Sequence, residues 1–221
     1  MKRAIAAEAL GTALLLAAVV GSGVMAERLS GGNVALALLA NAIATGGALY
    51  ALIIAFGPLS GAHFNPAVTL ALTLRGDSAR GRALPFLVAQ VVGAILGVWL
   101  AHLMFDLPIL QTSVKVRTGI GQWSAEATAT FGLVLLILLG VRQGKQGNAA
   151  ALPAAVAAYI VGAYWFTAST SFANPAVTIA RSLSNTFAGI APADAPMFIV
   201  SQVVGTTLAL AVARWLDERP G

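Results

Sequence analysis

The chain has no cysteine, so it carries no disulfide framework, no thiol nucleophile and no thiolate metal ligand. It has only two histidines, His63 and His102, and neither lies among carboxylates at a spacing that would make a ligand set, so no metal and no cofactor is expected. There is no H-E-x-x-H and no G-x-S-x-G segment, and acids are not clustered with histidine; an enzyme is therefore not the reading. Charge is scarce as well: 10% of the 221 residues are charged, against 58% hydrophobic, far from the balance of a soluble globular domain. The formal charge of +5 is spread between apolar segments rather than gathered into a stripe or tail, which argues against a nucleic-acid partner. A cleavable leader is not expected, because the apolar signal starts at Ala4 and recurs to Trp215.

What is present in abundance is long apolar sequence. About 20 apolar residues cross ~30 Å of hydrocarbon, and six segments qualify: Ala4 to Met25, Val34 to Phe56, Ala83 to Phe105, Gly121 to Val141, Asn148 to Ala168 and Ala195 to Leu216. Two shorter pieces, Pro66 to Leu74 and Pro175 to Leu183, are each opened by Asn-Pro and fit re-entrant half-helices. With a cytoplasmic N-terminus, nine basic residues (Lys2, Arg3, Arg75, Arg80, Arg82, Arg142, Lys145, Arg214 and Arg219) fall inside and four (Arg28, Lys115, Arg117 and Arg181) outside. That bias predicts a multi-pass protein of the inner or plasma membrane with both termini cytoplasmic.

The two halves repeat. AEALGT at Ala7 matches AEATAT at Ala125, HFNPAVTLAL at His63 matches FANPAVTIAR at Phe172, and QVVG at Gln90 recurs at Gln202, with offsets of 118, 109 and 112 residues. Three matches in one order indicate a single domain over 1–221 made of halves spanning about 1–110 and 118–221. Three spans per half force opposite orientations, an inverted repeat in which the half-helices enter from opposite faces.

Each NPA is a helix start: Asn65 and Asn174 are N-caps, Pro66 and Pro175 suit the first helical turn, and Ala67 and Ala176 follow. If the half-helices meet at mid-membrane, their positive dipole ends repel cations there. Asn65 and Asn174 then offer amide donors to the lumen, and the segments Gly57 to Phe64 and Ala168 to Ala173, read as unwound, offer carbonyl acceptors. A neutral hydroxylic solute finds both.

Through SGAHFNPAVT at Ser60, SFANPAVT at Ser171, the paired AE segments and the paired QVVG segments, nearly the whole chain resembles the aquaporin or major intrinsic protein family, and its bacterial, aquaglyceroporin-like members in particular. The resemblance implies an all-α membrane fold of six tilted helices and two half-helices around a pore, with four protomers per assembly. It also implies a four-residue filter, which by spacing from the NPA segments falls on Thr45, Gly162, Ser171 and Val177. The family's arginine after the second NPA is here Val177, and neither the aromatic nor the histidine of water-selective members stands at Thr45 or Gly162. These departures imply a widened filter with fewer fixed donors.

Arg181 lies four residues beyond Val177, about one turn or ~6 Å further on the same face, and either lines the outer vestibule or has a structural role. Glu8 and Glu126 lie inside predicted spans, where carboxylates need partners. One reading is proton coupling; the favoured one is that each accepts N–H groups of a re-entrant loop. His63 reads as a packed, hydrogen-bonded imidazole beside the pore, and His102 as incidental. The G-x-x-x-G pair Gly93 and Gly97, and Gly205 with Ala209, read as close helix contacts within one protomer.

The sequence therefore points to a passive channel for water and small neutral solutes, with polyols, urea-like molecules or neutral metalloid (arsenic) hydroxides as cargo. The alternative is a proton- or ion-coupled secondary transporter, since inverted repeats and broken helices occur there too.

Overall fold

In the computed structural model, which describes residues 1–144 and 151–217, the chain is helical throughout its ordered elements. In chain order they are α1 (Lys2–Leu29), α2 (Val34–Ser60), α3 (Pro66–Arg75), α4 (Ala83–Met104, preceded by a short 3-10 turn Arg80–Arg82), α5 (Ile120–Gly144), α6 (Leu152–Phe166), α7 (Pro175–Arg181) and α8 (Ala195–Asp217). Five of them are long and apolar enough to cross a membrane, and α6 is a shorter apolar helix of 15 residues. The expected start of that span at Asn148, and the basic residues Lys145 and Arg219, lie outside the described residues.

The second span runs further than expected. The stretch read as unwound from Gly57 is helical to Ser60, and the helix ends where Gly61, at φ 95°, takes the left-handed conformation that favours glycine. The first re-entrant loop is therefore short, Gly61 to Phe64, before Asn65 caps α3.

The repeat is visible in the packing. α1 lies against α4 and α5 against α8, each pair at very short range, and α2 meets α6 where the halves join. Glycines permit the close pairs: a β-carbon at Gly93 or Gly97 would run into the carbonyls of Ala9 or Ala13 on α1, and one at Gly205 would run into that of Ala127 on α5. Bare backbone at these points lets the axes approach closely enough for dispersion contacts along both helices. The half-helices sit between the pairs, α3 against α4, α5 and α8, and α7 against α4 and α8.

Polarity is distributed as a bilayer demands. Leu10, Leu14, Ile43, Ile54, Val88, Leu96 and Leu208 point outward, whereas Glu8, Thr12, Gln90, Glu126, Thr130 and Gln202 are buried within the bundle. In lipid the apolar surface faces the solvent and every interior polar group needs a protein partner.

Candidate functional site

The two re-entrant loops are held by one carboxylate each. Glu8 Oε1 accepts from the Ser60 hydroxyl (2.6 Å) and the His63 backbone N–H (3.0 Å), and Oε2 from the Phe64 N–H and Gln90 Nε2 (2.7 Å each). Glu126 repeats this with the Ser169 hydroxyl (2.6 Å), the Phe172 N–H (2.8 Å), the Ala173 N–H (2.9 Å) and Gln202 Nε2 (2.6 Å). Both glutamates are fully buried, and four donors apiece saturate their lone pairs. Each glutamine also donates to a half-helix threonine, Gln90 to Thr69 and Gln202 to Thr178, both at 2.9 Å. The paired QVVG segments thus tie α4 and α8 to the same carboxylates that hold the loops.

So held, the loops adopt backbone that would otherwise be disfavoured. Ala62, Phe64, Thr170, Ser171 and Ala173 all have positive φ, between 47° and 61°. Such conformations cost free energy for residues with a β-carbon and persist where surrounding contacts over-determine them.

At the centre the two asparagines cap and cross-link. The Asn65 Oδ1 accepts from the Ala67 N–H (2.9 Å), and the Asn174 Oδ1 from the N–H groups of Ala176 (3.0 Å) and Val177 (3.3 Å). Each Nδ2 then donates across the pseudo-two-fold axis, Asn65 to the Ala173 carbonyl (2.7 Å) and Asn174 to the Phe64 carbonyl (2.8 Å). An amide has two N–H donors, so one remains on each asparagine. Both residues line a cavity of about 130 Å³ whose wall is otherwise mostly aliphatic, from Leu15, Val19, Leu49 and Ile53 on one side to Leu133, Ile137, Val156 and Ile160 on the other.

His63 lines this cavity, with Nδ1 3.0 Å from the Thr69 hydroxyl and its ring edge-on to Phe86. Thr45, Ser171 and Val177 line it too, and the Ser171 hydroxyl has no hydrogen-bond partner among the described residues.

Gly162 does not. It is exposed on the outer face of α6, whereas Leu152, Val156, Ile160 and Tyr164, four residues apart, form the stripe that faces the lumen. With 3.6 residues per turn, a position two before Tyr164 points roughly the opposite way. Counting back from Asn174 missed this phase, and Tyr164 is the α6 residue at this level, its hydroxyl 3.2 Å from that of Thr45. Phe172 also lines the cavity, so two aromatic rings stand where the sequence reading had none.

Arg181 lines the cavity, yet it is 2% exposed, its Nε donates to the Ala188 carbonyl, and its guanidinium carbon lies 3.4 Å from the centroid of the Phe172 ring. Nearby is a residue the sequence analysis had counted only for orientation. Arg117, in the segment between α4 and α5, donates from Nε to the Gly189 carbonyl (2.8 Å) and from Nη1 to the Ser169 carbonyl (3.0 Å). Burial pushes Arg117 down to about 10, and burial with the neighbouring Arg117 and Arg181 charges pushes Lys115 down to about 8. Lys115 still donates to the Phe187 carbonyl at 2.7 Å.

His102 is not incidental. It is fully buried, with Nδ1 2.9 Å from the Ile109 carbonyl and Nε2 2.9 Å from the Ser184 hydroxyl. It joins the segment after α4 to the segment after α7, a contact that spacing along α4 could not show.

The chain has relatives among known proteins. The model of the family described as "Major intrinsic protein" matches residues 1–170. The chain is 56% identical over 216 residues to the aquaglyceroporin AqpS of Rhizobium meliloti, covering 98% of this chain and 91% of that protein. It is 31% identical over 232 residues to aquaporin Z of Bradyrhizobium diazoefficiens, covering 97% and 93%. Among solved structures, the aquaglyceroporin from Plasmodium falciparum superposes with a TM-score of 0.71 at 19% identity, covering 98% of this chain and 96% of that one. At that identity the likeness speaks for the fold.

Proposed function

This chain belongs to the major intrinsic protein family, and we propose that it works as a passive, bidirectional membrane pore for water and small neutral solutes larger than water. One observation carries this reading: a cavity bounded by long aliphatic walls, with polar groups confined to the re-entrant loops, the paired asparagines and a small cluster at Thr45, Tyr164, Ser171 and Arg181.

A solute that leaves bulk water for such a passage needs replacement hydrogen bonds at intervals. The free Nδ2 hydrogens of Asn65 and Asn174 supply donors, and the loop carbonyls turned by the positive-φ residues supply acceptors. Water and polyols use both kinds of group; an ion needs several ligands of one kind. Nothing moves on a cycle, because both membrane carboxylates are saturated by loop donors, and a coupled transporter would need one of them to take up and release a proton.

Val177 supports permeation of larger solutes. It leaves an aliphatic side chain where the family carries arginine, and Thr45, Ser171 and the Tyr164 ring line the same cavity. Polyols and neutral metalloid hydroxides suit this aperture: both are compact, uncharged and hydroxylated. The printed name of the 56% identical relative, an aquaglyceroporin, supports the same class of cargo. Arg181 supplies the filter cation from one turn further out.

The same reading places the protein in the inner or plasma membrane with both ends cytoplasmic, supported by the nine-to-four division of basic residues. It also takes the assembly to be a homotetramer with a pore in each protomer, supported by family membership. Light scattering of vesicles after an osmotic step tests the function: fast shrinkage with low activation energy supports a pore, whereas saturable uptake driven by a pH gradient contradicts it.

A further inference from the structure

Arg181 does not stand alone at the outer end of the cavity. Its Nε takes the carbonyl of Ala188, and Arg117 Nε takes the carbonyl of the next residue, Gly189. Both guanidiniums rest on one ring, with their carbon atoms 3.4 Å (Arg181) and 5.0 Å (Arg117) from the Phe172 centroid. That ring lines the cavity and belongs to the second re-entrant loop, whose Ser169 carbonyl accepts from Arg117 Nη1.

Both arginines are more than nine-tenths buried, and neither has a carboxylate within 4 Å among the described residues, where the ion pairs are Arg75 with Asp77 and Arg142 with Asp217. Among the described residues, the carboxylate that Arg117 contacts is Asp194, which accepts from its backbone N–H (2.7 Å). Two buried, laterally unpaired positive charges on one ring are costly to fold, because each gives up hydration without a salt bridge. Cation–π contacts and carbonyl acceptors offset part of that cost, and the Glu126 carboxylate attracts both guanidiniums through space without pairing with either. Buried charge of this kind is screened less than exposed charge, so its field reaches further along the passage.

From this the geometry points to Arg117 as a specificity-determining residue: the cation barrier of this pore is a two-arginine unit built on Phe172, in which Arg181 faces the solute and Arg117 adds a second positive charge from the α4–α5 segment. The inference rests on the channel reading above. In family terms Val177 vacates the usual site of the charge, and the pair supplies it from two other segments. Gly189 is part of the arrangement, since a β-carbon there would run into the Ser113 hydroxyl and the Ser184 carbonyl.

The test uses the full-length protein in liposomes holding a pH-sensitive dye, with a potassium diffusion potential driving protons and with osmotic water flux measured on the same preparation. The readout is the ratio of proton flux to water flux. Arg117→Gln should raise this ratio by about tenfold, the effect of lowering a barrier by about 1.4 kcal/mol. Arg117→Lys, which keeps the charge but loses the planar fork, should keep the native ratio. A native ratio in Arg117→Gln with water flux intact overturns the proposal, as does a lysine variant as leaky as the glutamine one. Should Arg117→Gln fail to insert, the lysine variant decides, because a purely structural anchor needs the fork. Native vesicles without water flux would overturn the channel reading and this inference with it; normal water flux with a flat Arg117 series overturns this inference alone.

Discussion

Asn65 and Asn174 hold one another's loops: each caps its own half-helix through Oδ1 and donates through Nδ2 to the carbonyl of the residue that precedes the other, at 2.7 and 2.8 Å. Cap and cross-link are thus one side chain, and the two half-helices cannot move independently at their meeting point. Replacing Asn174 by Ala removes an N-cap worth about 1 kcal/mol and leaves the buried Phe64 carbonyl unpaired at a further cost of about 1–3 kcal/mol. Thermal unfolding in detergent should show a lower midpoint for Asn174→Ala and for Asn65→Ala alike. An unchanged midpoint in either would mean that the cross-links do not carry the loops.

The glutamate clamps make a second prediction. Glu8→Gln and Glu126→Gln keep size and shape but put an NH2 group where an oxygen accepts two hydrogen bonds. Each should lose stability and water flux together, and an imposed pH gradient should not drive solute accumulation in the native protein. Gradient-driven accumulation that disappears in Glu8→Gln while water flux persists would instead mark a coupling carboxylate.

Close packing is tested at Gly93 and Gly205. A valine at either site drives a branched side chain into the Ala9 or Ala127 carbonyl, and overpacking of this kind costs about 1–3 kcal/mol or more. Gly162→Val, on the open outer face of α6, should be near neutral in the same melting experiment.

Much of this architecture is legible in the sequence because it depends on local pattern. Apolar run length gives the spans, Asn-Pro gives the half-helix starts, and the recurrence of Glu8, Asn65 and Gln90 as Glu126, Asn174 and Gln202 marks a shared scaffold. What escapes is set by phase and by return of the chain in space. Gly162 was placed by counting back from Asn174 across a loop, and a two-residue difference turns a helical position to the opposite face, where Tyr164 stands instead. Arg117 and His102 act across 52 to 82 residues of sequence on carbonyls and hydroxyls, and no spacing rule connects a loop arginine to Ser169 or a helix histidine to Ser184.

The lumen assignment of Tyr164 is open to direct test. Tyr164→Ala should raise the permeability of glycerol relative to water, because it removes a ring from the narrow cluster, whereas Gly162→Phe should leave the solute profile as it is. Flux measurements in vesicles with equal protein content compare the two, and a profile altered by Gly162→Phe alone would return that position to the pore.

Outside the spans, Lys115 gives a pH prediction. Its folded value of about 8 lies below the ordinary 10.5, so between those values the unfolded chain binds the extra proton. Stability therefore rises with pH through this window. Melting curves of the native protein should rise more steeply between pH 8 and about 10 than those of Lys115→Met; equal slopes would assign the trend to other groups.

The most direct measurement of the central claim is a panel of full-length proteoliposomes challenged in turn with water, glycerol, urea and neutral arsenous acid, with rates taken at several temperatures. A passive pore with Val177 at its filter predicts low activation energy, no dependence on a pH gradient, and passage of water together with at least one of the larger neutral solutes. Water flux with none of the larger solutes, or uptake that requires a gradient, would contradict it.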